Sequence, residues 1–251
     1  MELYQGLSPT DRAPAPWADL IAGLVMTVGL AGIVSASLPP DGWLLTGALG
    51  GYGALVAMLY RGQAGKRVLG WANRATLARA VITAVLAGAL LQPGLFIEQA
   101  WTIAALSLIA LALDGLDGWL ARRLDETSRF GARFDMETDA ALILVLCAGL
   151  WLSGLAPAWV LAIGLMRHAF LLAGRVWPWL ARPLPERFGR KLVCVVQVGV
   201  LVLALLPFIG EAWRLLMLAA ALLLLGISFL IDVAWLARRR GVTEHPDWRT
   251  P

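Results

Sequence analysis

The chain has 251 residues, of which 59% are hydrophobic, and a formal net charge of +4. Soluble domains carry nearer 45–50% apolar residues, and a chain of this length has too little interior to hide the excess. Apolar runs of about 20 residues recur without period-two alternation, so the composition excludes a soluble enzyme and argues for helices crossing a bilayer rather than a barrel. The basic residues gather at the ends of apolar runs, which is the mark of membrane topology and not of a nucleic-acid partner.

About eight spans are predicted, near 17–38, 43–60, 72–92, 96–120, 132–152, 157–177, 191–208 and 213–236. The first follows a polar N-terminus without a basic n-region, so it reads as a retained membrane helix and not a cleaved signal. Pro39-Pro40-Asp41-Gly42, Pro93-Gly94, Ser153-Gly154 and Pro207 through Gly210 mark breaks between spans. Trp17, Trp43, Trp101, Trp159, Trp213 and Trp235 stand near run ends, where an interfacial belt would place them. The two cysteines, Cys147 and Cys194, lie far apart inside apolar runs and read as small core hydrophobes. The polar stretch Arg61–Gly70 separates the first two spans from the other six. The expected division is an N-terminal segment 1–66 with two extra helices, a catalytic six-helix domain 67–240 and a tail 241–251.

Charge fixes an orientation. Arg61, Lys66, Arg67 and Arg74 follow the second span; Arg122, Arg123, Arg129 and Arg133 follow the fourth; Arg182, Arg187, Arg190 and Lys191 follow the sixth; the tail holds Arg238, Arg239, Arg240 and Arg249. The opposite connections hold Asp41, Glu98 and Glu211 with Arg214 as their single basic residue. Both termini and every basic loop are therefore expected in the cytoplasm of a plasma membrane, the inner membrane if the source is bacterial.

Four carboxylates stand where charge is costly. Asp114 and Asp117 lie near the end of a strongly apolar run, and Asp135 and Asp139 open the next. Spacings of three and four put each pair on one helical face, and the short connection around Asp125–Arg129 makes the two helices antiparallel neighbours. The four carboxylates then converge, repel one another and call for divalent cations, with hard Mg²⁺ or Mn²⁺ the best match to oxygen ligands. Four carboxylates suffice for two ions, an arrangement suited to phosphoryl chemistry. Gly118, Ala121 and Gly131 keep bulk away from these faces, which serves both phosphate access and close helix packing.

Asp114-x-x-Asp117-Gly118-x-x-Ala121-Arg122, then eight residues, then Gly131-x-x-x-Asp135-x-x-x-Asp139 resembles the signature of the CDP-alcohol phosphotransferases at all eight fixed positions and at every spacing. The resemblance covers about residues 70–236 and implies an all-α polytopic membrane bundle: that family's six-helix core, preceded here by two extra transmembrane helices. It implies that Asp114, Asp117, Asp135 and Asp139 bind two metal ions and that Asp139 is also the base. It implies that Gly118, Ala121, Arg122 and Gly131 line the pocket for the cytidine diphosphate part of the donor. Asn73-x-x-Thr76-x-x-Arg79 is similar to the stretch that opens the first core helix in many members, where it faces the nucleotide; an ordinary helix start would also fit. Arg167 and Arg175 resemble the paired arginines of glycerophosphate-using members and imply a phosphate on the acceptor; for Arg167, within an apolar run, snorkelling or pairing with a core carboxylate fits equally. Lys191 and Gln197 fit part of the Gly-Lys-x-Lys-Thr…Gln pattern of those members, but Val193 and Cys194 stand where Lys and Thr would be.

The reaction so implied is phosphatidyl transfer from a CDP-linked lipid, first of all CDP-diacylglycerol, to an alcohol, first of all glycerol 3-phosphate, with release of CMP. The partners implied are the donor, the acceptor and membrane lipids; the two extra helices lie outside the resemblance and would serve either to cover the core or to form a homodimer contact. Two other classes use intramembrane carboxylates. A membrane prenyltransferase spaces its aspartate motifs far apart and lacks the Gly and Ala-Arg elements, and a transporter gives no reason for Gly131 and Arg122. Among the remaining polar residues, His168 reads as a packing or interfacial residue. Asp232 reads as lying at the cytoplasmic edge beside Arg238. Glu137 reads as solvated or paired with an arginine.

Overall fold

The computed structural model describes residues 17–36, 42–62, 70–123, 129–182 and 188–238, and these are almost wholly helical. In chain order the helices are α1 (Trp17–Ser35), α2 (Trp43–Gly62), α3 (Trp71–Ala89), α4 (Leu95–Glu98), α5 (Ala100–Arg123), α6 (Arg129–Leu152), α7 (Leu161–Val176), α8 (Phe188–Leu205) and α9 (Glu211–Arg238). The eight long ones correspond to the eight predicted spans. The fourth span differs in detail. Gln99 leaves the helical region (φ −112°, ψ 29°), so Pro93-Gly94 is followed by the single turn α4 and α5 begins afresh at Ala100. The domain boundary expected at 66/67 and the tail 241–251 lie outside the described residues.

Burial is inverted relative to a water-soluble protein. Thr76, Arg79, Thr83, Ser107, Thr138, Gln197, Arg214 and Asp232 are buried, whereas Leu223, Leu230 and Phe208 are each at least 65% exposed. Water would penalise so much outward apolar surface, and lipid does not. By length and composition, Trp17–Ser35, Ala158–Val176 and Glu211–Arg238 are each able to cross a membrane, and Trp43–Ala57, Ala100–Leu116 and Leu192–Leu205 are shorter apolar stretches. The buried hydroxyls of Thr76, Thr83, Ser107 and Thr138 each donate to the carbonyl four residues earlier, so they need no water.

The helix α3 is the hub. It packs against α1, α2, α5 and α6, and from Thr76 to Leu86 it is buried on most sides. Its contact with α2 is backbone-close. A Cβ at Gly88 would lie 2.6 Å from the Ala48 nitrogen, and one at Gly47 would lie 2.7 Å from the Gly88 Cα. Small residues let two helices approach to this distance in a membrane. The tie to α1 is polar: the Tyr52 hydroxyl of α2 donates to the Leu20 carbonyl, and Asp19 of α1 pairs with Arg74 of α3 at 2.9 Å. A large apolar core under the other half of the bundle joins Phe96 to Leu142, Leu146, Leu150, Leu201, Leu205 and Leu218. At the end of α6 the chain turns through Gly154 at φ +74°, a left-handed conformation that glycine adopts without a side-chain clash. The turn between α8 and α9 is held by Arg214, which donates to the Ala204 carbonyl at 2.7 Å and to the Ile209 carbonyl at 2.9 Å.

Candidate active site

Three helices bring charge to one point. Asp114 comes from α5, Asp135 and Asp139 from α6, and one carboxylate oxygen from each lies within 4.8 Å of the other two. The spacing of four on α6 directs Asp135 and Asp139 together, as expected, and the antiparallel neighbour α5 supplies the third. Between them sits the guanidinium of Arg79 from α3, with no exposed side-chain surface. Its Nη1 donates to Asp114 at 2.7 Å; its Nη2 bonds Asp135 and lies 3.4 Å from Asp139. A planar fork of five N–H donors can engage three carboxylates at once.

This contact explains how the cluster stays together without water on that side. The carboxylates close on Arg79 from one direction, yet their side chains remain 32%, 35% and 24% exposed for Asp114, Asp135 and Asp139. The cluster therefore keeps accessible carboxylate surface. An all-oxygen, multiply negative, half-open donor set fits a hard divalent cation, so Asp114, Asp135 and Asp139 are the residues that would hold one. The side chains of Asp117, Ala121, Arg122 and Lys191 lie outside the described residues, although their backbones are helical. Gly118 and Gly131 are half-buried, on α5 and α6 respectively.

A cavity of about 210 Å³ opens beside Asp139. It lies between α6, α7, α8 and α9, and its polar wall is made by Asp139, Arg167, Gln197, Ser228 and Asp232. Val193 and Cys194 also line it, at the two positions that depart from the glycerophosphate-type pattern. Arg167 donates to Glu137 at 2.6 Å, the second of the two readings given for Glu137. Arg175 is exposed at the end of α7 and is not among the residues lining the cavity. Asn73 is half-buried and Thr76 buried, about two turns and one turn before Arg79 on α3 respectively. His168 faces the Gly164 carbonyl of its own helix at 3.3 Å.

Two placements were not anticipated. Arg79, expected on the nucleotide side, contacts the carboxylates directly. Asp232, expected at the edge beside Arg238, is 6% exposed and shares the cavity with Asp139. The available signals were an acidic residue within an apolar span and Ser228 one turn before it on the same face.

The sequence pattern of the family described as CDP-alcohol phosphatidyltransferase matches residues 69–241. A protein of Drosophila melanogaster named "Probable cardiolipin synthase (CMP-forming)" is 34% identical over 122 residues, 47% of this chain and 36% of that protein, so the match spans about a third of the relative's length. No solved structure matches the chain.

Proposed function

The chain belongs to the CDP-alcohol phosphatidyltransferase family, and we propose that it transfers a phosphatidyl group from CDP-diacylglycerol to an alcohol acceptor, releasing CMP. The observation that carries this reading is the convergence of Asp114, Asp135 and Asp139 on one buried arginine, with Asp139 also forming the wall of a cavity large enough for a small headgroup. A CMP-forming relative agrees with it.

In this reading the donor's acyl chains stay in the bilayer and its diphosphate meets the open side of the carboxylate cluster. Bound divalent ions, a pair of Mg²⁺ or Mn²⁺ completed by Asp117, would neutralise the carboxylates and polarise the diphosphate. Gly118 and Gly131 leave room for the nucleotide, which Asn73, Thr76, Ala121 and Arg122 border. Arg79 keeps the carboxylates aimed at one point before substrate arrives, so no reorganisation is needed during the reaction. Asp139 takes the proton from the acceptor hydroxyl. The acceptor oxygen bonds to the lipid-side phosphorus, the bond from that phosphorus to the bridging oxygen breaks, and CMP leaves with the electron pair.

Arg167 is the cation on the acceptor side, with Arg175 further out and Lys191 assigned to the same phosphate. An acceptor that carries a phosphate suits them, and glycerol 3-phosphate is the smallest member of that class. The site faces the cytoplasm.

Release of CMP from CDP-diacylglycerol by purified protein, dependent on both a divalent cation and an alcohol, tests the reading. Asp139→Asn removes the base and should lower the rate about 10²- to 10⁴-fold while the protein stays folded. CMP release by Asp139→Asn at the wild-type rate would refute the assignment.

A further inference from the structure

Arg167 enters the cavity beside Asp139 already joined to a carboxylate. We infer that Glu137 is a specificity-determining residue: it holds part of the Arg167 charge back from the cavity, so that this chain binds an anionic acceptor more weakly than Arg167 alone would allow. The inference rests on the transfer reading above and deepens it.

Glu137 belongs to neither carboxylate pair. It stands two residues after Asp135 and two before Asp139, about 200° around α6 from each. Its Oε1 accepts from Arg167 Nη2 at 2.6 Å, a short, charge-assisted bond. The two side chains are exposed to a similar degree, 29% for Arg167 and 25% for Glu137. A cation and an anion so joined present little net charge to a third group. Among the described residues that line the cavity, Arg167 is the single cation, whereas Asp139 and Asp232 are acidic. With Glu137 attached, that cation is already offset.

Glu137 is not what places Arg167. One turn earlier on α7, a Cβ at Gly164 would lie 2.7 Å from the Leu144 Cα of α6, so backbone contact sets the spacing of the two helices at this level. Arg167 Nη1 lies 4.0 Å from the Met136 sulfur. Its Nε is buried and has no partner among the described residues. A guanidinium nitrogen only donates, so this Nε is the donor left for an anion. Packing thus positions the arginine, and Glu137 adjusts its strength. A phosphate held there takes no part in bond making, so the contact is the same in the bound acceptor and in the transition state. Such uniform binding alters KM and leaves kcat. At a separation of roughly 5 Å, about one guanidinium width, an extra negative charge weakens anion binding about 3- to 30-fold once water screening is included.

The first test needs no acceptor. The full chain in detergent and chelator is titrated with inorganic phosphate at constant ionic strength, and the thermal midpoint is followed. Glu137→Gln keeps the shape of the side chain and its bond to Arg167 but removes the charge. Its phosphate dissociation constant should fall about 3- to 30-fold below that of the wild type, and the gain should vanish when Arg167→Gln is added. The second test is CMP release from CDP-diacylglycerol, with a free phosphomonoester (glycerol 3-phosphate) and a lipid phosphodiester (phosphatidylglycerol) as separate arms. In the arm the chain uses, Glu137→Gln should lower KM by the same factor and leave kcat unchanged. Phosphate binding that is unchanged or weaker in Glu137→Gln would overturn the inference and make Glu137 a prop for Arg167 instead. A gain that persists without Arg167, or CMP release with uncharged alcohols alone, would overturn it as well. Absence of CMP release with every alcohol would overturn the transfer reading, and the phosphate titration would still decide the role of Glu137.

Discussion

Replacing Arg79 by alanine tests the electrostatics of the cluster. The substitution leaves three carboxylates with oxygens within 4.8 Å of one another and removes the cation that faces them all. At an effective dielectric constant of about 20, each pair of like charges at that separation repels by roughly 3 kcal/mol. Breaking a buried ion pair costs about 3–5 kcal/mol, and the lower end applies here because the carboxylates are up to 35% exposed and water screens them. For a chain of this size a loss of about 3 kcal/mol lowers the thermal midpoint by about 6–12 °C. Thermal unfolding in detergent should therefore show Arg79→Ala melting well below wild type in chelator. Millimolar Mg²⁺ should raise the variant's midpoint more than the wild type's, because the ion replaces charge that Arg79 otherwise supplies. Arg79→Lys should fall between the two, since an ammonium keeps the charge but is compact and lacks the wide planar array of donors. Equal midpoints in chelator, or the same Mg²⁺-induced shift in both proteins, would refute the claim that Arg79 neutralises the cluster.

Other expectations concern the scaffold. Gly88→Val should destabilise by about 1–3 kcal/mol, because the new side chain meets the Leu44 carbonyl and the Ala48 nitrogen; an unchanged midpoint would mean that α2 and α3 do not touch there. Arg214→Met should cost about 1–3 kcal/mol by leaving the Ala204 and Ile209 carbonyls without their donor. It should also speed proteolytic cleavage in the turn 206–210, and cleavage at the wild-type rate would count against that role.

Much of this architecture is legible in the amino-acid sequence, for a physical reason. Lipid demands runs of about 20 apolar residues, and such runs can be read directly. The pairing of Asp135 with Asp139, and their meeting with Asp114 across a short connection, follow from helical periodicity. What could not be read depends on rotation and depth. Gln197 and Asp232 reach the Asp139 cavity because α8 and α9 present those particular faces to α6, and no local spacing encodes that choice. The contact of Arg79 with the carboxylates likewise depends on how α3 nests against α5 and α6. The separation of α4 from α5 is a third case: Pro93-Gly94 announces a break, but the second interruption at Gln99 has no such marker.

The family's sequence pattern begins at residue 69, yet the helix that delivers Arg79 leans on two helices that precede it. Gly88 and Ala84 of α3 are covered by Ala48 and Gly51 of α2, and Arg74 is anchored to α1 through Asp19. A version trimmed to the shared region would strip the cover from a groove shaped for backbone contact, where lipid tails fit poorly. The leading hairpin is thus a brace for Arg79, and shortening the protein to its family outline would loosen the very element that keeps its acidic cluster in register.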